Sequence, residues 1–248
     1  MSSRMTTSRV MTRDARRAKV GRRIGVPSLL VAIVLIAAGC GTESGEETAQ
    51  PQVNPLYAPD RLHAEAPDSF RVAVATSEGD LTLFVNREWA PLGADRFYTL
   101  VTNGFYDDIR VHRVVPGRVA QFGLHGDGLV NSAWMEEYLV DDPRVLSNER
   151  GTVAFAKGGA NDRTTQVFIN LSDNLGLDEQ GFAPFARVVE GMEVADAFHD
   201  EYGDGPPQGD GPYQMQALAQ GNEYLDAEFP ELTRIDSMRV VPFDGNGP

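Results

Sequence analysis

Hydrophobic and polar positions begin to alternate at residue 70 of the 248-residue chain. Residues 70–86 contain two apolar runs separated by a polar turn at 77–80. Alternation with a period of two is typical of a strand with one buried face, and two such runs around a short turn indicate a hairpin. A folded domain is therefore predicted over residues 70–243, with residues 244–248 as a tail.

Apolar residues at helical spacing are found in two segments of this domain. The first begins at Pro91 and ends near Gly104, and the second covers residues 191–199. The remaining apolar runs are short and strand-like, and they cover residues 111–115, 119–123, 152–156, 166–170, 185–189 and 235–243. Many short strands with glycine-rich turns and two core helices predict a mainly β fold, either a closed barrel or a sandwich.

The segment 203–233 interrupts this pattern. Residues 203–213 have the glycine, proline and aspartate content of a loop, and apolar residues from Met215 to Phe229 fall near one face of a possible helix. A segment of this size is too small to bury a core of its own. We therefore predict an insertion that packs on the β domain.

The first 40 residues have the organisation of an export signal. A basic stretch through Arg23 leads into an apolar run at 26–40, which is shorter than the ~20 residues that span a bilayer. Cys40 follows Ala-Ala-Gly and resembles the lipidated cysteine of a bacterial lipoprotein, so residues 1–39 are predicted to be a lipoprotein signal peptide. The predicted location is the bacterial cell envelope, with the protein lipid-anchored and facing the periplasm or the exterior. The alternative is an uncleaved anchor with a buried cysteine.

Charge separates this leader from the rest of the chain. The net charge is −14 overall, but residues 1–40 carry +7 and residues 41–248 carry −21. Such an acidic body argues against nucleic acid as a partner, because phosphate binding needs Lys and Arg. Residues 40–69 are acidic and proline-rich without apolar periodicity, which predicts a flexible tether. The single cysteine excludes an intrachain disulfide.

Motifs for common catalytic chemistry are missing from the sequence. It has no Gly-x-Ser-x-Gly elbow, no phosphate-binding loop and no dinucleotide glycine fingerprint. His112, His125 and Asp127 lack the spacing of a known metal site, so no metal is expected. Two segments stand out instead. Residues 111–123 place an Arg and a Gln in strand-like runs around a Pro-Gly turn, and residues 164–170 alternate as one strand.

These segments resemble the cyclophilin family of peptidyl-prolyl isomerases. The run His-Arg-Val-Val-Pro-Gly with its downstream Gln is similar to the family's Phe-His-Arg-Val-Ile-Pro-Gly-Phe-x-x-Gln. Thr-Gln-Val-Phe-Ile at 165–169 is similar to its Ser-Gln-Phe-Phe-Ile, and residues 177–192 resemble its Leu-Asp…Phe-Gly-x-Val-x-x-Gly-Met. The resemblance implies a closed eight-stranded β-barrel capped by two α-helices. It also implies an enzyme (EC 5.2.1.8) that isomerises X-Pro bonds of polypeptides without a cofactor. We expect the protein to be a monomer.

The resemblance also assigns roles to individual residues. Arg113 matches the catalytic arginine, which stabilises the twisted prolyl nitrogen, and Gln121 matches the neighbour that orients it. Phe168 matches the floor of the proline pocket. The implied substrate-binding positions are Ala156, Gln166, Leu177 and Arg118.

Three positions depart from the family pattern. Arg118 stands where the family has a Phe that walls the pocket, and Val111 replaces the Phe before His-Arg. Gly176 precedes Leu-Asp, where an aromatic residue is common. These departures leave open a cyclophilin-like module that binds proline-containing segments with little or no turnover. A structural lipoprotein whose 203–233 insertion docks a partner is a third hypothesis.

Overall fold

The structure, a computed structural model, describes residues 54–243. The predicted signal peptide, Cys40, residues 41–53 of the predicted tether and the tail at 244–248 lie outside the described residues. The strands are β1 (Ser69–Thr76), β2 (Gly79–Asn86), β3 (Ile109–Arg110), β4 (Arg113–Val115), β5 (Val119–Phe122), β6 (Thr152–Phe155), β7 (Val167–Asn170), β8 (Pro184–Glu190) and β9 (Arg234–Val241). The helices are α1 (Pro91–Thr102), α2 (Gly128–Trp134), α3 (Gly176–Glu179), α4 (Met192–Asp196), α5 (Gln214–Gln220) and α6 (Asn222–Glu228). Within residues 54–243, no helix has the length and apolarity needed to cross a membrane.

The described strands form one curled antiparallel sheet, which confirms the mainly β prediction. Their order is β3-β9-β1-β2-β8-β6-β7-β5-β4. The resemblance implies eight strands in a closed barrel, but the sheet has nine strands, because the two-residue strand β3 pairs with Arg234 and Ile235 at the start of β9. Among the described residues, β3 and β4 are the two edges of this sheet and do not pair with each other. The two end strands of this order, β3 and β4, are connected in the chain by Val111 and His112. The two edge strands of the sheet are therefore linked by a connection of two residues.

The core is formed mainly by residues of the sheet and of α1. Alternate residues of β1, beginning with Phe70, are buried, as expected for a strand with one face in the core. Phe97 and Leu100 of α1 are fully buried in the same cluster. The predicted helix at 191–199 is shorter than expected and is limited to α4.

Residues 54–68 are packed on the domain, so the prediction of a flexible tether is wrong for this part. They form two short 3-10 turns, Pro55–Tyr57 and Pro59–Arg61. The carbonyl of Leu56 accepts a hydrogen bond from Trp134 Nε1 at 2.9 Å, and the Leu56 side chain is buried in the core. The Tyr57 hydroxyl donates to Asp127 at 2.6 Å. This packing could not be predicted from the sequence, because the stretch has no periodic pattern of apolar residues and is held by residues that are distant along the chain.

The segment 203–233 contains α5 and α6 and packs beside the sheet domain. The backbones of α2 and α5 approach closely, since a Cβ at Gly128 would overlap the carbonyl of Ala219. Gly221 adopts a φ of +59° next to the backbone of Gly126, where a side chain would also collide. A small hydrophobic cluster joins the segment to Leu124 of the sheet domain. Its buried residues are Leu124, Ala217, Tyr224, Leu225 and Leu232.

Candidate active site

The strand register aligns three predicted site residues in one row. Arg113 of β4 lies opposite Gln121 of β5, and Gln121 lies opposite Phe168 of β7. Directly opposed residues in antiparallel strands place their side chains on the same face, about 5 Å apart. The sheet therefore presents a cation, an amide and an aromatic ring side by side.

A chain of hydrogen bonds orders the polar part of this row. Arg113 Nη1 donates to Gln121 Oε1 at 3.1 Å. Gln121 Nε2 in turn donates to Gln166 Oε1 at 2.8 Å. Because a guanidinium can only donate, Arg113 sets the orientation of the Gln121 amide, and that amide sets the orientation of Gln166.

A carboxylate from the segment between α4 and α5 also binds the arginine. Arg113 Nε donates to Asp204 Oδ1 at 2.7 Å, and Nη2 donates to Oδ2 at 2.9 Å. This is the two-bond geometry in which arginine binds carboxylates most strongly. The hydrogen bonds from Arg113 lower the pKa of Asp204, so its carboxylate stays ionised at neutral pH.

The apolar part of the site lies on the other side of the row. The Phe168 side chain is buried and packs with Val119 and Ala154. Phe182 meets Phe168 edge to face, with ring centroids 5.6 Å apart. Leu177 packs against the same cluster. This arrangement gives an aromatic floor beside a fixed cation.

One groove of about 690 Å³ contains the whole predicted set. Segment 203–213 contributes a further wall through Asp204, Pro206, Pro212 and Tyr213. Arg118 lies at an exposed position on the rim. The predicted site residues that line the groove are Arg113, Gln121, Phe168, Ala156, Gln166, Leu177 and Arg118.

His112 precedes Arg113 in the chain, is buried, and lines the inner part of the groove. Burial lowers its pKa to about 4, and the positive charge of Arg113 acts in the same direction. Within residues 54–243, neither ring nitrogen has a hydrogen-bond partner. The imidazole is therefore neutral at physiological pH.

The other residues considered as metal ligands have structural contacts. His125 Nδ1 accepts from the Asp127 amide at 2.9 Å, and Asp127 caps α2 by accepting from Leu129 N. In the part of the chain described, His199, Glu201 and Glu231 are the group whose ligand-type atoms come within 4.8 Å of one another. These three residues do not line the groove.

Comparison with known proteins identifies the family. Residues 71–217 match the family described as "Cyclophilin type peptidyl-prolyl cis-trans isomerase/CLD". The chain belongs to the cyclophilin family. This confirms the resemblance stated from the sequence motifs and the predicted enzyme class, EC 5.2.1.8.

Bacterial relatives of this cyclophilin cover about half of its chain. Peptidyl-prolyl cis-trans isomerase A of Dickeya dadantii is 36% identical over 136 residues, which are 53% of this chain and 72% of that protein. Peptidyl-prolyl cis-trans isomerase B of Escherichia coli is 33% identical over 133 residues, which are 50% of this chain and 81% of that protein.

Solved structures confirm the cyclophilin fold. A cyclophilin-type peptidyl-prolyl cis-trans isomerase of Cryptosporidium parvum aligns with a TM-score of 0.53 at 19% identity, covering 71% of this chain and 99% of that one. A second crystal structure of that protein, obtained in the presence of the dipeptide Ala-Pro, aligns with a TM-score of 0.51 at 19% identity, covering 70% of this chain and 99% of that one.

The three departures from the family pattern have different structural settings. Val111 is fully buried in the main core and does not line the groove. Gly176 is exposed, and a Cβ there would meet no atom within 4 Å. Of the three, the change at Arg118 alone alters the lining of the cyclophilin groove.

Sequence reasoning missed two contributors to the site. Phe182 is not among the predicted site residues, and its ring packs against Phe168. Asp204 lies in a segment whose composition indicates only a loop, 91 residues from Arg113. A lone aspartate in a Gly-Pro loop has no feature that points to an arginine so distant in sequence.

Proposed function

We propose that this cyclophilin accelerates X-Pro rotation by donating a hydrogen bond from Arg113 to the twisted prolyl nitrogen. Rotation about a peptide bond faces a barrier of about 18–20 kcal/mol, because the C–N bond has partial double-bond character. The X-Pro bond populates both isomers and is therefore the bond on which such an enzyme can act. The observation that carries the proposal is the fixed guanidinium beside the aromatic floor of Phe168.

The proposed selectivity comes from the electronic state of the prolyl nitrogen. In the planar ground state its lone pair is delocalised into the carbonyl and accepts hydrogen bonds poorly. In the twisted state the nitrogen is pyramidal and its lone pair is available to a donor. A donor held at that nitrogen therefore stabilises the transition state more than the ground state.

The neighbouring residues hold the substrate in register with this donor. Phe168 and Phe182 offer apolar rings against which the pyrrolidine can pack. Gln166 and Gln121 present amide groups to the polypeptide backbone beside the proline. No covalent bond forms or breaks, so the proposed reaction needs neither a nucleophile nor a cofactor.

We also propose that the substrates are proline-containing polypeptides folding in the bacterial cell envelope. The support is the predicted signal peptide at 1–39 and the lipid anchor at Cys40, both of which rest on the sequence. The proposed orientation faces the periplasm or the exterior, and the proposed state is a monomer.

Exchange spectroscopy on a short X-Pro peptide tests the catalytic assignment. The full chain should accelerate cis/trans exchange, and Arg113→Ala should lower kcat/KM by about 100-fold, as expected when one preorganised donor is removed. Arg113→Lys is the matched control, because it keeps the charge but lacks the fork and should fall between the two. An Arg113→Ala variant with the parent rate would refute the role of this residue.

A binding module with little turnover is the second candidate. Two observations favour it: Asp204 already occupies two donors of Arg113, and Arg118 puts a charge on the groove rim. In that case the folded protein would bind the X-Pro peptide in an NMR titration without accelerating its exchange.

A further inference from the structure

We propose that Asp204 is a positioning residue for Arg113, an inference that rests on the proposed function. The carboxylate holds the side of the guanidinium formed by Nε and Nη2, at 2.7 and 2.9 Å. In this role Asp204 does not touch the substrate. It acts by fixing the plane and the direction of the group that does.

The loop around Asp204 is shaped to hold this residue in place. The Gly211 amide donates to the Asp204 carbonyl at 2.9 Å, and the Gly205 amide donates to Oδ1 at 2.8 Å. A Cβ at Gly211 would lie 3.0 Å from the Asp204 carbonyl oxygen, and one at Gly209 would overlap it. The chain therefore closes around the Asp204 backbone at a distance that only glycine permits.

The donor count of Arg113 shows what remains for a substrate. A guanidinium has five N–H bonds in a rigid plane. Asp204 takes two of them and Gln121 takes a third. The two that remain are one on Nη1 and one on Nη2. Because Asp204 holds the Nε side, the remaining Nη2 proton points along the end of the side chain, away from the carboxylate.

Fixing the guanidinium before the substrate arrives should increase the rate. Arg113 has a long side chain with large rotamer entropy, and a single hydrogen bond to Gln121 leaves the guanidinium free to swing about that contact. The second, two-bond contact with Asp204 removes this freedom. A donor already aligned with the twisted nitrogen loses less entropy in the transition state.

A masking role would give the opposite result. If Asp204 mainly neutralised the cation and competed with the substrate, its removal would release Arg113 and raise the rate. The arrangement favours positioning, because the carboxylate binds the side of the guanidinium and leaves its end open. The sign of the effect on kcat therefore decides between the two roles.

The test measures kcat and KM for X-Pro exchange by the full chain and its variants. Asp204→Ala should lower kcat by about tenfold with KM changed by less than about twofold, because alignment rather than binding is lost. Asp204→Asn keeps one acceptor and should lie between Ala and the parent. Asp210→Ala is the matched control, since it removes the same charge from an exposed position in the same loop and should leave kcat unchanged.

A spectroscopic readout separates positioning from a structural role. The Arg113 Nε–H signal, assigned by its loss in Arg113→Ala, should be sharp in the parent and should shift and broaden in Asp204→Ala. Unchanged thermal unfolding of Asp204→Ala would show that the fold is intact. Where unfolding does change, the Asp204→Asn variant provides the comparison.

The possible outcomes distinguish this inference from the proposed function. An active parent, an inactive Arg113→Ala and an Asp204→Ala variant with an equal or higher kcat would overturn positioning alone. An Nε–H signal that is the same in parent and Asp204→Ala would also overturn it. A parent without isomerase activity would overturn the proposed function, and this inference with it.

Discussion

Replacing Asp142 by alanine should destabilise the domain strongly, because Asp142 caps α1 and neutralises a buried arginine. Its Oδ1 accepts from Leu92 N and its Oδ2 from Gly93 N, each at 2.9 Å, in the first turn of α1. The residue at the helix start, Ala90, has no side chain that can cap. Oδ2 also accepts from Arg163 Nη1 at 3.0 Å. The side chains of Asp142 and Arg163 are 1% and 4% exposed.

The magnitude follows from these two contributions. Loss of a helix cap costs about 1 kcal/mol. Leaving one partner of a buried ion pair uncompensated costs about 3–5 kcal/mol. Asp141 approaches Arg163 Nε at 3.3 Å and compensates part of the charge, so we expect a total near the lower end. The expected loss in the free energy of unfolding is about 4 kcal/mol.

Urea unfolding followed by tryptophan fluorescence measures this loss. With a slope of about 2 kcal/mol per molar urea, the midpoint of Asp142→Ala should fall by about 2 M. Asp196→Ala is the matched control, because Asp196 pairs with Arg150 at the surface with about 44% of its side chain exposed, and its loss should cost less than about 1 kcal/mol. A loss below about 1 kcal/mol for Asp142→Ala would show that Asp142 does not stabilise α1 and Arg163 in this way.

Three further predictions concern the groove and its surroundings. Phe168→Leu should raise KM for X-Pro peptides by about three- to tenfold with a smaller effect on kcat, because the aromatic floor is reduced; steady-state kinetics that show only a kcat effect would contradict this. Arg118→Phe should tighten binding of an apolar X-Pro peptide in calorimetry, since an exposed charge on the rim becomes an apolar wall. His112 has a pKa of about 4 in the folded protein, below its unfolded value of 6.5. Its contribution to the free energy of unfolding is therefore fully present above pH 6.5 and is lost as pH falls towards 4. A His112→Gln variant should therefore lose less stability than the parent over this interval in thermal unfolding, and parallel pH profiles would count against the assignment.

The row of Arg113, Gln121 and Phe168 could be predicted from sequence because its information is local. Each residue lies in a short apolar run whose alternation indicates which face it occupies. The observed register then brings the three runs together as neighbouring strands. The family motif supplied the expectation that these runs meet.

The contacts made by Asp204 and Asp142 could not be predicted in this way. Asp204 reaches Arg113 from a loop, and Asp142 caps α1 from 50 residues away. Both residues are single aspartates in polar segments of an acidic chain, where most carboxylates face solvent. The packing of residues 54–68 was missed for the same reason, because Leu56 is anchored by Trp134 rather than by neighbours in sequence.

In the proposed mechanism, Arg113 binds the twisted X-Pro bond in preference to the planar one. The most direct measurement compares, for parent and Arg113→Ala, the Kd of an X-Pro peptide by NMR titration with the exchange rate at saturating peptide. We predict that the rate at saturation falls by about 100-fold while Kd changes by less than about threefold. The contrary result is an Arg113→Ala variant whose rate at saturating peptide equals that of the parent, and whose Kd is weakened by the same factor as kcat/KM. Arg113 would then bind the planar and the twisted X-Pro bond equally well, and the proposed mechanism would be wrong.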